Sequence, residues 1–236
     1  MIDEEFDITT LDLKKSLLLF SGGLDTTTLL YLLVDEGIPV QCLGFDYGQQ
    51  AKHELECAKK TCEKLNIKYE IIDLNSLNIS GDLGKGGNIA NKTDIIIPNR
   101  NSIFLAIGTN YAIKNGCSNI YIGSKLGQDA CLDEQPDFIE QYNALNMVSD
   151  ITTVHVKAPF INYSLEEVIE LAVELEVPLN DTWSCFGEGE KRCGKCGNCT
   201  TIPEVVEEII TKYNKQIANL VKFYESFPPN NPMENE

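Results

Sequence analysis

The chain has 236 residues, 43% of them hydrophobic, which suits one α/β domain with an appendage. Its 36 acidic and 19 basic residues leave a formal charge of −17. Binding to polyanions depends on Lys and Arg, so this balance argues against extended contact with nucleic acid. No stretch approaches the ~20 apolar residues of a membrane span, and the N-terminus is acidic where a signal peptide would be basic. We therefore expect a cytoplasmic protein without a membrane anchor.

The first predicted elements are a strand, a tight loop and a helix. An apolar run at 17–20 precedes the loop, and residues 29–33 continue with helical spacing. Two glycines let the backbone approach an anion, and the free amides of the helix's first turn point at it. A carboxylate there is useful when a divalent cation lies between it and phosphates. The predicted nucleotide-binding residues, with Mg²⁺ at the carboxylate, are Ser21, Gly22, Gly23, Leu24, Asp25, Thr26 and Thr27.

This loop is not a Walker A motif, because no lysine lies between Lys15 and Lys52. It resembles the SGG-x-D-S pyrophosphate loop of the PP-loop ATPases, with Thr26 in place of the usual Ser. The resemblance implies an enzyme that adenylates a substrate and releases pyrophosphate. The alternative is an ordinary strand-to-helix turn with Asp25 as a helix cap.

Further along the chain, strand patterns alternate with helix patterns. The alternation predicts a parallel sheet with right-handed crossovers, whose ligands collect at the carboxyl ends of the strands. The predicted strands are 40–45, 68–73, 95–97, 119–123 and 153–158. The predicted helices are 52–65, 102–114, 136–148, 165–174 with a capping box at its start, 203–213 and 216–224.

Polar residues follow two of these strands. Asp46, Tyr47 and Gln49 come after the second strand, at the edge of the sheet where ligands collect. Arg100, one of two arginines in the chain, follows a turn at Pro98. We expect its guanidinium to clamp a phosphate or a substrate carboxylate, and a salt bridge at the sheet end is the alternative.

Four of the nine cysteines lie within fifteen residues among glycines: Cys185, Cys193, Cys196 and Cys199. Turns at the glycines can bring four thiolates to ~2.3 Å from one tetrahedral Zn²⁺, which leaves no open position. We therefore predict one structural zinc ion. An iron–sulfur cluster is the alternative, because Cys-x2-Cys-x2-Cys also opens the ferredoxin pattern, but the later Cys-Pro is missing here. Other thiols are expected to pack as small buried hydrophobes: Cys42, Cys57, Cys62 and Cys117.

The pattern divides the chain into four segments. Residues 1–16 are expected to form an acidic leader, and 17–180 a PP-loop nucleotide-binding α/β domain of Rossmann-like type. Residues 181–226 are expected to form a zinc-binding helical subdomain, and 227–236 a disordered tail. The glycine-rich stretch 75–94 is expected to be a flexible loop and a candidate lid.

Several motifs therefore occur together: SGGLDTTT, FDYGQ at 45–49, PNRN at 98–101 followed by Phe104-Leu105, TWSC at 182–185, and the cysteine cluster. Together they resemble the QueC family of 7-cyano-7-deazaguanine synthases from about Leu17 to Thr211. The resemblance implies a ligase that adenylates the carboxylate of 7-carboxy-7-deazaguanine with ATP and Mg²⁺. Ammonia then gives the amide, and a second ATP gives the nitrile. It also implies Asp25 and Arg100 as catalytic residues, and it implies that Asp46, Tyr47 and Gln49 edge the nucleotide or base pocket.

The sequence departs from the family pattern at several positions. Asn99 stands where the family has Gly, and the stretch 128–138 lacks the family's D-(F/Y)-S-G-Y-P-D-C-R motif, which is expected to shape the acceptor pocket. Cys131, in that stretch, is expected to be a bystander. His53 is expected to be a half-exposed helical residue, and His155 a structural one.

A further departure concerns charge. Leu165 occupies the position of the family's Lys in an S-K-x-E segment. A cation is thereby lost from the predicted phosphate site, unless Lys52, Lys125 or Lys157 replaces it.

Three other functions remain open on sequence alone. A QueC-like paralogue in antiviral defence would pass the activated carboxylate to another amine, such as one on a protein. A tRNA-modifying PP-loop enzyme is disfavoured by the acidity. A zinc-stabilised binding module with a decayed nucleotide site would explain Leu165. The resemblance also implies a homodimer as one assembly.

Overall fold

The structure, a computed structural model, describes residues 13–77, 79, 97–125, 132–213 and 217–228. Its strands are β1 (Ser16–Leu19), β2 (Val40–Asp46), β3 (Tyr69–Asp73), β4 (Asn119–Tyr121) and β5 (His155–Lys157). Its helices are α1 (Leu24–Asp35), α2 (His53–Leu65), α3 (Arg100–Lys114), α4 (Pro136–Ser149), α5 (Leu165–Glu174), α6 (Gly197–Tyr213) and α7 (Ala218–Glu225).

The strands form one parallel sheet in the order β3-β2-β1-β4-β5. The predicted α/β fold with a parallel sheet is therefore confirmed. The strand order reverses between β1 and β4, and in such sheets a crevice opens where the loops after these two strands diverge. The predicted nucleotide-binding segment 21–27, here called the phosphate loop, lies at that crevice, because it directly follows β1.

Helices cover both faces of the sheet. On one face Leu18 and Phe20 pack with apolar residues of α1, α2 and α5. On the other face Leu17 and Leu43 pack with residues of α3 and α4. Burial on both faces explains why the central strands are continuous apolar runs. The thiols predicted to be buried hydrophobes are buried: Cys42, Cys57, Cys62 and Cys117.

A third apolar cluster joins the C-terminal helices to the rest. Leu24 of α1 and Ile169 of α5 belong to this cluster, together with Cys185, Cys196 and residues of α6 and α7. The segment that carries the cysteines therefore packs directly behind the first turn of α1. No helix among the described residues is long and apolar enough to cross a membrane.

Several predicted boundaries were wrong. Helix α6 begins at Gly197 and contains Pro203, which was predicted to start the helix. Proline is common at helix starts, but here the preceding turn is stabilised by the cysteine cluster. Helix α3 begins two residues early, after Asn99 in the left-handed conformation (φ 55°).

Other predictions fall partly outside the described residues. Ile97 is not in a strand, and residues 95 and 96 lie outside the described ranges. Also outside the described ranges are Cys131, most of the predicted loop 75–94, residues 1–12 of the leader and residues 229–236 of the tail. Residues 75–77 form a short 3₁₀ turn.

Candidate nucleotide site and metal centre

The phosphate loop depends on Gly22. Its φ is +86°, and a Cβ there would lie 2.7 Å from the amide nitrogen of Ala58 and closer still to the carbonyl oxygen of Glu54. Only glycine has both this conformation and this proximity to α2. The amide of Gly23 donates to Ser21 Oγ at 3.2 Å. The loop is thus a tight turn seated on the first turns of α2.

The hydroxyls predicted for this loop lie together. Ser21 Oγ and Thr26 Oγ1 are 3.1 Å apart. Thr27 is fully buried, and its hydroxyl has no hydrogen-bond partner within the described ranges. Leu24 is 1% exposed, so its side chain belongs to the core. Leu24 can reach a ligand only through its backbone amide, the first of α1.

Asp25 faces the loop that follows β4. Its Oδ2 lies 2.8 Å from Lys125 Nζ, and both side chains keep about a quarter of their surface exposed, at 28% and 26%. The other oxygen, Oδ1, is buried and has no hydrogen-bond partner among the residues described. A Cβ on Gly123 would lie 2.8 Å from Thr26 Cγ2, so the two loops are in direct contact. A cation and a carboxylate therefore stand side by side at the crevice.

The turn after β2 supplies the neighbouring wall. Gln49 is 4% exposed, and its amide is used inside this wall. Its Oε1 accepts from the amide of Tyr47 at 3.0 Å, and its Nε2 donates to Phe45 O and to Glu54 Oε1, both at 3.1 Å. Asp46 accepts from the amide of Gly48 and from Lys52 Nζ, at 3.2 and 3.3 Å. Gln49 and Asp46 therefore use their side chains to stabilise the turn.

Tyr47, Glu54 and Arg100 form a polar cluster beside this turn. Burial raises the pKa of Glu54 to about 7, and the hydrogen bond from Gln49 and the charge of Arg100 only partly oppose this rise. Burial likewise raises the pKa of Tyr47 to about 12. Phe104 flanks Tyr47, with ring centroids 5.3 Å apart. Glu54 is not among the predicted site residues, and its only signal in the sequence is its place in the first turn of a helix near FDYGQ.

Arg100 contacts the stretch 128–138, in which the sequence departs from the family pattern. Its Nη2 lies 3.5 Å from Glu134 Oε1. The neighbouring Asn101 amide donates to Asp133 Oδ2 at 3.0 Å. Residues of 128–138 therefore contact the start of α3, although the spacing of the motifs did not show it. The side chain of Arg100, at the start of α3, is 28% exposed, and its guanidinium is paired with Glu134.

The four predicted metal ligands are brought together. The Sγ atoms of Cys185, Cys193, Cys196 and Cys199 all lie within 4.8 Å of one another. Amides of Gly187 and Cys193 donate to Cys185 Sγ at 3.3 and 3.2 Å, and the Cys196 amide donates to Cys193 Sγ at 3.4 Å. Such N–H···S bonds favour thiolates over thiols. The cluster is therefore a candidate metal centre.

The spacing of the sulfurs bears on which metal fits. Four thiolates around one Zn²⁺ at ~2.3 Å are about 3.8 Å apart by tetrahedral geometry. Cys193 Sγ and Cys199 Sγ are 3.9 Å apart. A four-iron cluster places a cube of iron and sulfide between its thiolates and separates them further. The donor set thus fits a single tetrahedral ion.

Arg192 is a buried cation close to the cysteine cluster. It is 7% exposed, and its guanidinium carbon lies 4.3 Å from the ring centroid of Phe227 and 5.2 Å from that of Trp183. Its Nη2 donates to the carbonyl oxygen of Thr182 at 3.1 Å. The guanidinium interacts electrostatically with Cys185, Cys196 and Cys199, so it would offset part of the negative charge of thiolates there. Nothing in the sequence distinguished this arginine from an exposed one.

Comparisons of the sequence with known proteins find one family. Residues 15–209 match the family model described as queuosine biosynthesis protein QueC. A 7-cyano-7-deazaguanine synthase from Methanoregula boonei is 34% identical over 208 residues, which cover 82% of this chain and 94% of that protein. One from Hahella chejuensis is 34% identical over 205 residues, which cover 81% and 87%. Among solved structures, NMN synthetase from Francisella tularensis aligns with a TM-score of 0.49 and 14% identity, over 94% of this chain and 86% of that one.

Proposed function

This chain belongs to the QueC family, and from that premise we propose that it is an ATP-dependent 7-cyano-7-deazaguanine synthase. Membership of the family identifies an enzyme of the ligase or synthase kind. The observation that carries the finer proposal is the pairing of Asp25 with Lys125 at the mouth of the phosphate loop. A carboxylate and a cation at that place suit a metal-bound triphosphate better than a bare anion.

The phosphate loop would hold the leaving pyrophosphate. The amides of α1's first turn and the hydroxyls of Ser21 and Thr26 line the loop. Mg²⁺, held by Asp25, would neutralise charge on the phosphates. Lys125 would then be released from Asp25 to contact a phosphate oxygen. These groups stabilise the charge that gathers on pyrophosphate as it departs.

The substrate carboxylate would lie toward Arg100. The carboxylate oxygen attacks the α-phosphorus of ATP, the bond to pyrophosphate breaks, and an acyl-adenylate results. Ammonia then attacks the acyl carbon, loses a proton and expels AMP to give the amide. The amide oxygen attacks a second ATP in the same way and expels pyrophosphate, and loss of AMP and of both amide protons leaves the nitrile. Holding both reactants in place supplies much of the rate enhancement.

We assign zinc to the cysteine cluster, with a structural role. Four thiolates leave no coordination position for a substrate. The support is the sulfur spacing and the buried Arg192 beside it. The cluster would hold the C-terminal helices against α1 and α5 and would take no part in the chemistry.

The test is a reaction with 7-carboxy-7-deazaguanine, Mg²⁺·ATP and ammonium, in which mass spectrometry follows AMP and every deazaguanine product. We expect nitrile with two AMP per product, and only adenylate when ammonium is omitted. An Arg100→Ala variant should form no adenylate, and an exposed control, Lys59→Ala, should react like the unmodified chain. Absence of AMP from the unmodified chain would contradict the proposal.

A further inference from the structure

A short segment links the metal centre to the phosphate loop. Residues 182–185, here called the strap, lie along the phosphate loop. The last of them, Cys185, belongs to the cysteine cluster. The amide of Trp183 donates to the carbonyl oxygen of Gly22 at 2.9 Å. The amide of Leu24 donates to Ser184 Oγ at 3.1 Å, across 160 positions of sequence. The strap therefore bonds to the loop on both sides of Gly23.

The hydroxyl of Ser184 is placed to do more than cap the helix. It accepts from the first amide of α1, one of the amides that a phosphate would otherwise meet. A hydroxyl has one proton to donate, and no hydrogen bond among the described residues uses the proton of Ser184. Ser184 is partly exposed, and its Oγ would lie 3.7 Å from a Cβ on Gly23, so it stands at the rim of the turn.

We propose that Ser184 is a phosphate ligand contributed by the C-terminal segment. This proposal rests on the proposed function, because it requires a phosphate in the loop. The Leu24 amide donates to Ser184 Oγ, and Ser184 donates its own proton to a phosphate oxygen. A hydroxyl that already accepts a hydrogen bond is a stronger donor. The bond from the Leu24 amide therefore strengthens the bond from Ser184 to the phosphate.

The metal centre positions this hydroxyl. The carbonyl oxygen of Ser184 accepts from Asn198 Nδ2 at 2.7 Å, and Asn198 lies between the predicted ligands Cys196 and Cys199. The next residue after Ser184 is Cys185, itself a predicted ligand. The backbone of Ser184 is therefore held by Asn198 on one side and by Cys185, the next residue, on the other. Asn198 is accordingly a positioning residue for Ser184.

The test is calorimetric titration of the metal-loaded chain with Mg²⁺·pyrophosphate and with a non-hydrolysable Mg²⁺·ATP analogue. Loss of a hydrogen bond to a charged group raises Kd roughly tenfold or more, and we expect this for Ser184→Ala. Ser184→Thr, which keeps the hydroxyl, should retain most of the affinity. Asn198→Ala should weaken binding less than Ser184→Ala, with metal content unchanged.

Thr200→Ala is the matched control. Thr200 is also a hydroxyl close to the cysteines, but it donates to the carbonyl oxygen of Gly197 at 2.9 Å and does not contact the loop. Its loss should leave Kd unchanged. If Ser184→Ala lowers the unfolding temperature and leaves Kd unchanged, Ser184 is only a helix cap and the proposal is wrong.

The same titrations separate this proposal from the proposed function. If the unmodified chain binds pyrophosphate and Ser184→Ala does not, while no nitrile forms in the reaction assay, the proposed function fails and the role of Ser184 stands. If nitrile forms and Ser184→Ala binds pyrophosphate normally, the synthase assignment stands and the role of Ser184 is rejected.

Discussion

Lys125 Nζ lies 2.8 Å from Asp25 Oδ2, across the crevice between the loops that follow β4 and β1. The two residues are one hundred positions apart in the sequence. Of the three lysines considered as replacements for the cation missing at Leu165, Lys52 pairs with Asp46, and Lys157 stands 5.9 Å from the ring centroid of Tyr121. Lys125 contacts the phosphate loop through Asp25.

This contact predicts a role for Lys125 in nucleotide binding. Lys125→Met should raise the Kd for Mg²⁺·ATP roughly tenfold, because a charged hydrogen bond to phosphate is lost. Equilibrium binding by calorimetry measures it. Lys59→Met is the control, since Lys59 forms an exposed pair with Glu63 on α2. An unchanged Kd for Lys125→Met would mean that Lys125 only neutralises Asp25.

The metal centre predicts how much zinc the chain contains and what happens when one cysteine ligand is removed. The purified chain should contain one zinc and no iron by elemental analysis, and Cys196→Ser should abolish zinc and lower the unfolding temperature sharply. Cys117→Ser is the matched control: this buried thiol accepts from Gln41 Nε2 at 3.0 Å, and a hydroxyl can accept the same bond. It should retain zinc. Iron in place of zinc would overturn the assignment.

Two glycines with positive φ allow the stability cost of backbone strain to be measured separately from the cost of steric contact. Gly22 and Gly37 have φ of +86° and +68°, but a Cβ on Gly37 would meet nothing within 4 Å. Gly37→Ala should cost about 1 kcal/mol of unfolding free energy from backbone strain alone. Gly22→Ala should cost at least about 3 kcal/mol, because the strain is joined by contact with α2. Denaturant unfolding compares the two, and equal costs would show that the loop yields to a Cβ.

Glu54 predicts a pH dependence of stability. Its pKa of about 7 lies above the ordinary 4.5, so the folded chain binds more protons than the unfolded chain between those values. The stability contributed by this group is therefore present below about pH 4.5 and is lost as the pH rises through about 7. Glu54→Gln stays neutral and should keep the hydrogen bond from Gln49.

Thermal unfolding at about pH 5 and about pH 8 measures this effect. The unfolding temperature of Glu54→Gln should exceed that of the unmodified chain by a few degrees more at the higher pH. Glu63→Gln, an exposed change on the same helix, should show no such divergence. A constant difference for Glu54→Gln would mean that Glu54 is well solvated.

Much of the fold was predictable because its signals are local. The capping box at Ser164 is present, with Glu167 donating its amide to Ser164 Oγ and accepting from the Ser164 amide through its carboxylate. The period of apolar residues located the helices and strands, because one buried face repeats every 3.6 or every two residues. Pro203 misled the prediction of α6, since tertiary packing around the cysteines overrode a local start signal.

The sequence by itself determined the parallel α/β fold, the phosphate loop and the four cysteines that come together, because each depends on spacing within a short stretch. Only the tertiary structure decided which distant groups complete the site. Lys125 meets Asp25, and Ser184 meets the amide of Leu24, because the strand order brings β4 beside β1 and the C-terminal core packs behind α1. Contacts of that separation are set by chain crossovers and shared burial, which leave no periodic trace in the sequence.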